Sequence, residues 1–281
     1  MNNKNKVLLT SIGLAIFSGI AATSTTFAWF TTTQNASLSF NSATVVTQDN
    51  NLSVVFKESL NSVITDATTV DNTIILNGLN KVTDISGDGV DFYKPSWNAA
   101  LDAPGARVAY EIVQVGETDA DGYYVDFTLT ISRDAVGTGG MKVYLGAGTE
   151  ITAHNDLDDE DAQAVLGSRL AVLDSSDAVI LTYAPVSETT YNYISEGTGS
   201  LYSVDNFVNT TTLSNVVETF STYNTNDAAV ADGAIAIADL TTELTADVTF
   251  RAWLEGEDDD TVNAAIGGVF DIDLKIYGLT V

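Results

Sequence analysis

The sequence predicts an all-β protein: one antiparallel β-sandwich with a long, loop-rich insert and a single short helix. The first observation behind this is period-two patterning in the last stretch. Over 244–254 the apolar residues Leu244, Ala246, Val248, Phe250, Ala252 and Leu254 take every second position, and over 269–277 Phe270, Ile272, Leu274 and Ile276 do the same. Such alternation turns one side of each strand to a core and leaves Asp247, Thr249, Arg251, Asp271, Asp273 and Lys275 on the other. Joined by the acidic connection 255–268, the two runs read as the central hairpin of the sandwich, because a hairpin with one apolar face needs a second layer to cover it. The second observation is the recurrence of short alternating runs between Gly-, Asp- and Asn-rich turns. The third is size: roughly 250 residues beyond a leader fit one large β-domain or two small ones, and strand count and turn spacing favour one.

The chain opens on an address. Lys4 and Lys6 form a basic segment, Val7 to Ala22 is an apolar run, and Thr26 and Ala28 are small residues at the spacing an export peptidase needs. This reads as a secretory signal (residues 1–28) cleaved between Ala28 and Trp29. The apolar run falls short of the roughly 20 residues that span a bilayer, which disfavours an uncleaved anchor helix. Membrane contact is therefore expected only through the leader, and residues 29–281 are expected to form one domain.

Within that domain Phe30, Ala36, Leu38 and Phe40 share one parity and predict a first strand. Leu52 to Phe56 and Thr73 to Leu76 read as short strands, the latter ending at a hairpin signal, Asn77-Gly78. Residues 84–95 read as loop. Runs at 106–115 and 123–132 predict a central hairpin with Tyr123, Val125, Phe127, Leu129 and Ile131 inward. After a short strand from Met141 to Leu145, residues 147–243 are expected to form an insert. In it, acids before Ala162 to Leu166 suit a helix start, and 170–173 with 178–183 flank the hairpin turn Asp174-Ser-Ser-Asp177. Ser187 to Asn226 is a Tyr- and Thr-rich excursion.

Composition narrows the function. The chain has 11 basic and 38 acidic residues. The leader holds two of the basic ones, so the remainder carries nine against 38, a formal charge of −29. Such a charge repels nucleic acid and anionic lipid and favours cations and solubility. The absence of cysteine rules out disulfides and thiolate chemistry. His154 is the only histidine, and no His-Glu-x-x-His or Gly-x-Ser-x-Gly is present, so no catalytic constellation emerges and an enzyme is not expected. The best chemical candidate is a cation site: Glu255, Glu257, Asp258, Asp259 and Asp260 crowd within six residues, and hard oxygen ligands suit Ca²⁺. A solvated acidic turn explains the same residues. Asp84-x-Ser-x-Asp88-Gly89 and Glu117-x-Asp119-x-Asp121-Gly122 resemble the front half of an EF-hand loop but have Pro95 and Thr128 where its closing Glu belongs.

The leader ending Thr-Phe-Ala28, followed by Trp29-Phe30 and an alternating first strand, resembles exported proteins processed by a dedicated W-type signal peptidase, including the TasA and camelysin fibre family. The closing Arg251-Ala-Trp-Leu-Glu-Gly-Glu-Asp258 with its following Gly-Gly and terminal strand is similar to surface proteins with such leaders. The resemblance covers roughly residues 20–40 and 244–280. It implies a jelly-roll-like sandwich, secreted to the cell surface or extracellular matrix, that forms a homopolymeric fibre by donating its N-terminal segment to the next subunit. Export machinery and the signal peptidase are the other implied partners. The rival expectation is an extracellular carbohydrate- or ligand-binding module using Trp97, the tyrosines of the insert and a Ca²⁺ loop. For the segment after Trp29, a donated strand and an ordinary first strand of its own domain are equally open.

Overall fold

The computed structural model describes residues 35–47, 52–58, 67–70, 73–76, 79–97, 110–115, 123–134, 139–146, 149–155, 158–185, 192–194, 201–203, 207–208, 235–256 and 267–281. The expected leader and the residues Ala28, Trp29 and Phe30 lie outside them. In chain order the described strands are β1 (Asn35–Thr47), β2 (Leu52–Glu58), β3 (Ala67–Val70), β4 (Thr73–Leu76), β5 (Leu79–Gly87), β6 (Phe92–Trp97), β7 (Tyr110–Gln114), β8 (Tyr124–Arg133), β9 (Met141–Leu145) and β10 (Glu150–Ala153). They continue as β11 (Ser168–Leu173), β12 (Val179–Tyr183), β13 (Asn192–Ile194), β14 (Leu201–Ser203), β15 (Phe207–Val208), β16 (Ala238–Asp239), β17 (Thr245–Glu255) and β18 (Val269–Thr280). One helix, α1 (Asp159–Gly167), joins β10 to β11. It is too short and too polar to cross a membrane.

The fold is all-β and sandwich-like. One layer runs β2-β8-β17-β11-β12-β15. The other is built on β18, with β9 and β10 on one side and β1 on the other, and β4 and β5 beyond β1. The inward parities of both layers meet in a single core. Val125, Phe127, Leu129 and Ile131 of β8 and Val248, Phe250, Ala252 and Leu254 of β17 belong to the same buried cluster as Phe270, Ile272, Leu274 and Ile276 of β18. Alternation therefore identified the buried side of these strands correctly, apart from Leu244, which lies exposed before β17, and Tyr123, which is half-buried outside the main core.

Pairing departs from the sequence expectation in four places. β17 and β18 are not a hairpin: β17 pairs with β8 and β11, while β18 pairs with β1, β9 and β10. Each covers the other across the core, which satisfies two apolar faces at once, and the long connection between them permits the change of layer. β7 and β8 are not paired either, since β7 lies on β6 and β8 lies between β17 and β2. Nor does the chain reverse at 77–78, because β4 and β5 both run antiparallel to β1 and the reversal comes earlier, with Val70 facing Thr73. Finally, 84–95 is not all loop, as β5 extends to Gly87 and β6 begins at Phe92.

Among the described strands three pairs are parallel: β1 with β18, β5 with β17 and β12 with β15. The stretch 147–243, expected as an insert, supplies β10, β11 and β12, and Ile151, Leu170, Val172 and Leu181 of these lie in the main core. The expected hairpin through Asp174 is present, with the Asp174 carboxylate accepting from the Ser176 and Ala178 amides. Leu170 to Leu173 of β11 read as an unbroken apolar run because both faces of the strand are covered. Ala171 and Leu173 join Trp253, Tyr124, Phe92 and Ile85 in a second cluster on the outer side of the β17 layer.

Away from that cluster the outer side of β8 and β17 is a polar ladder. Thr128 and Thr249 share a hydroxyl hydrogen bond of 2.8 Å, Thr130 donates to Asp247, and Lys57 of β2 reaches the same carboxylate at 2.9 Å. Cross-strand pairs of this kind each add a few tenths to ~1 kcal/mol. Arg251, over the Tyr124 ring, pairs at 3.0 Å with Asp126, its register partner.

The Thr130 hydroxyl, and after it Lys57, holds the Asp247 carboxyl below its usual value. A depressed carboxyl contributes stability that is complete above its unfolded value of about 3.9 and is lost as pH falls through the folded one. Urea melts should therefore show a falling midpoint below about pH 4. In Thr130→Val the Asp247 carboxyl, followed by NMR titration, should move back toward the ordinary value.

Candidate functional site

The most distinctive arrangement is the seat of β1. Its sequence, Asn-Ala-Ser-Leu-Ser-Phe-Asn-Ser-Ala-Thr-Val-Val-Thr, contains no glycine or proline, and its closing run from Thr44 to Thr47 is β-branched throughout. It lies parallel to β18 from Ser37 opposite Val269 to Thr47 opposite Gly278. On its other edge Asn35 to Ser39 run antiparallel to β5, and Ala43 and Thr44 face β4. The first of the described strands is thus an inner strand, held along both edges, next to the last of them.

Register explains how the sequence fits this seat. Leu38 and Phe40 stand opposite Phe270 and Ile272, while Ala43 and Val45 stand opposite Leu274 and Ile276. These four β18 residues are fully buried. The apolar set of β1 changes parity between Phe40 and Ala43, and the ladder changes with it: the register shifts between Phe40 and Ser42, leaving Asn41 as an extra residue.

β18 is a firmly held template. At its start the Asp161 carboxylate of α1 accepts from the Val269 amide at 2.6 Å and from the Asn155 amide at 3.0 Å. The His154 amide donates to the Val269 carbonyl, and the His154 ring meets the Asp271 carboxylate at 3.0 Å. Gly268 lies so close to α1 that a Cβ there would sit 2.2 Å from the Glu160 carbonyl oxygen, and its own carbonyl accepts from the Ser37 amide at the mouth of the β1 seat. The Val269 amide is therefore committed to the helix, its carbonyl to His154 after β10, and the Gly268 carbonyl to β1.

Of the residues expected to donate the strand, Ala36, Leu38 and Phe40 are brought together on β1, with Ala36 opposite Val82 of β5. Ala43 and Val45 were not anticipated, because the bulge hides them from a period-two search. Of the expected cation ligands, Glu255 does not belong to a solvated loop. It closes β17, fully buried, with Oε2 accepting from Trp253 Nε1 at 3.1 Å and the Gly87 amide at 3.4 Å. By parity it sides with Trp253 and Arg251, a signal present in the strand pattern and masked by the density of acids after it. Glu257, Asp258, Asp259 and Asp260 lie outside the described residues, as does the loop from Glu117 to Asp121. Asp88 caps its own turn, accepting from the Val90 and Asp91 amides. Among the described residues no three His, Asp or Glu side chains stand close enough together to hold a metal ion.

The seat is defined by main-chain ladders on both edges and by a row of apolar positions, the two elements by which an extended segment is recognised. Compared with known protein families the chain matches none, and no curated protein matches its sequence.

Proposed function

We propose that this chain is a secreted structural subunit of a cell-surface or biofilm-matrix fibre, assembled when the N-terminal strand of one copy fills the β1 seat of the next. The observation that supports this reading is the place of β1: the N-terminal strand occupies an inner seat beside the C-terminal strand, parallel to it. With the leader cleaved at Ala28, β1 is the leading strand, and it leaves such a seat without unthreading any other described strand. The vacated ladders on β18, β4 and β5 are unpaired backbone groups that a like strand satisfies equally well. Donation that runs one way, from each copy to the next, is a heterologous contact and propagates into a filament where it does not close on itself. The resemblance of the leader and first strand to the TasA and camelysin family points the same way, and the charge of the chain favours dispersal of unassembled copies. The role asks nothing catalytic of any residue.

The test is polymerisation of the chain from Trp29 onward. Electron microscopy and light scattering should show filaments whose mass rises steeply with protein concentration. A chain that stays monomeric at every concentration, and binds a glycan with Trp97 and the tyrosines of 187–226, would replace this reading with the binding module.

A further inference from the structure

The two flanks of the β1 seat differ in length. From Ser39 to Ala43 the first strand takes four steps; the facing stretch of β18, Asp271 to Leu274, takes three, and the facing chain from Leu79 back to Ile74 takes five. Between these paired positions β1 is thus one residue longer than β18, and the chain joining β5 to β4 is one residue longer than β1. A strand of unbroken period two cannot satisfy both flanks, because a slip of one residue turns its whole apolar set to the wrong face.

We propose that this graded step is a register key, with Asn41 as its positioning residue, and that it makes the seat selective for the first strand of a second copy of this chain over extended segments of regular alternation. The inference rests on the strand-exchange reading for its partner and on the observed ladders for its geometry. Before the step the donor presents Leu38 and Phe40, and after it Ala43 and Val45. An incoming strand lacking the extra residue still follows β18 with Leu38, Phe40, Ala43 and Val45 in place. It then falls two residues short of the β4–β5 flank instead of one, so Ala43 and Thr44 no longer meet Ile74 and Thr73.

Compensating deletions in the full chain test the key. Deleting Asn41 should lower hydrogen-exchange protection about tenfold or more at those amides of Thr73 and Ile74, and of Ala43 and Thr44 opposite them, that bond across the β1–β4 ladder, while the β3–β4 ladder stays protected. Deleting Gly78, on the longer flank, should also lower the melting temperature. Deleting both restores the native difference between β1 and that flank, so protection and melting temperature should return toward those of the unmodified chain. A double deletion no better than the worse single one overturns the key, and so do two neutral single deletions.

Selection is read with peptides of residues 35–47 added in excess to the unmodified full-length mature chain. The native peptide should halt filament growth by capping vacant seats. The peptide without Asn41 should need a concentration about tenfold higher, the equivalent of 1.4 kcal/mol, and this order should reverse on the chain lacking Gly78. Equal potency of the two peptides overturns the selectivity. An unmodified chain that forms no filaments defeats the fibre reading instead, and the compensating deletions still decide the key.

Discussion

Removal of residues 29–47 is expected to abolish cooperative folding of the isolated chain. β1 makes ten register pairs with β18, five with β5 and two with β4. At roughly one net hydrogen bond per pair and ~0.5–1.5 kcal/mol per bond, the lost ladder alone rivals the ~5–15 kcal/mol that stabilises a whole domain. The buried row Phe270, Ile272, Leu274 and Ile276 would at the same time lose its neighbouring strand. Circular dichroism melts of the truncated chain should show no sharp transition, and sedimentation should show aggregates. Refolding the same chain with the 35–47 peptide should recover both a transition and a soluble species. A truncated chain that melts like the complete one would mean that β1 contributes nothing to its own sheet, and the exchange proposal would lose its driving force.

Which side of each strand is buried was legible because period two is a local property. β4 and β9 match their sequence runs end to end, and the inward residues of β17 and β18 were all identified. Which strands pair was much less so. Alternation says that Phe250 and Ile272 need cover, but not that each helps to cover the other from opposite layers, and a 13-residue connection between their strands accommodates a hairpin and a crossing alike. The parallel union of first and last strands leaves no mark on either sequence, since a parallel partner needs no turn. Asp161 illustrates a second limit. Acids before a helix are expected for their effect on its dipole, yet this one is buried and spends both oxygens on backbone amides of two other segments. Only the fold brings Asn155 and Val269 within its reach. Asn41 marks a third limit: an off-parity residue in a strand looks like noise until the partner's register shows that the ladder shifts at the same place.

Phe250→Ala should cost about 3–5 kcal/mol, the range for deleting a large aromatic side chain from a close-packed core. Phe250 is fully buried at the middle of β17, between Phe127 on β8 and Val172 on β11. Its ring stacks on that of Phe127 with centroids 5.3 Å apart and planes 17° from parallel. At ~2–4 °C per kcal/mol for a chain of this size, the melting temperature should fall by roughly 6–20 °C. Val55→Ala, at an exposed position on β2, should change stability by no more than ~0.5 kcal/mol. Because the two rings are register partners as well as stacked, their losses should not add. A double-mutant cycle with Phe127→Ala should return a coupling of ~0.5–1.5 kcal/mol, as for stacked aromatic pairs elsewhere. Strict additivity would mean that the rings pack independently against the β18 layer, and that the β8–β17 ladder rather than the aromatic pair fixes the register of that sheet.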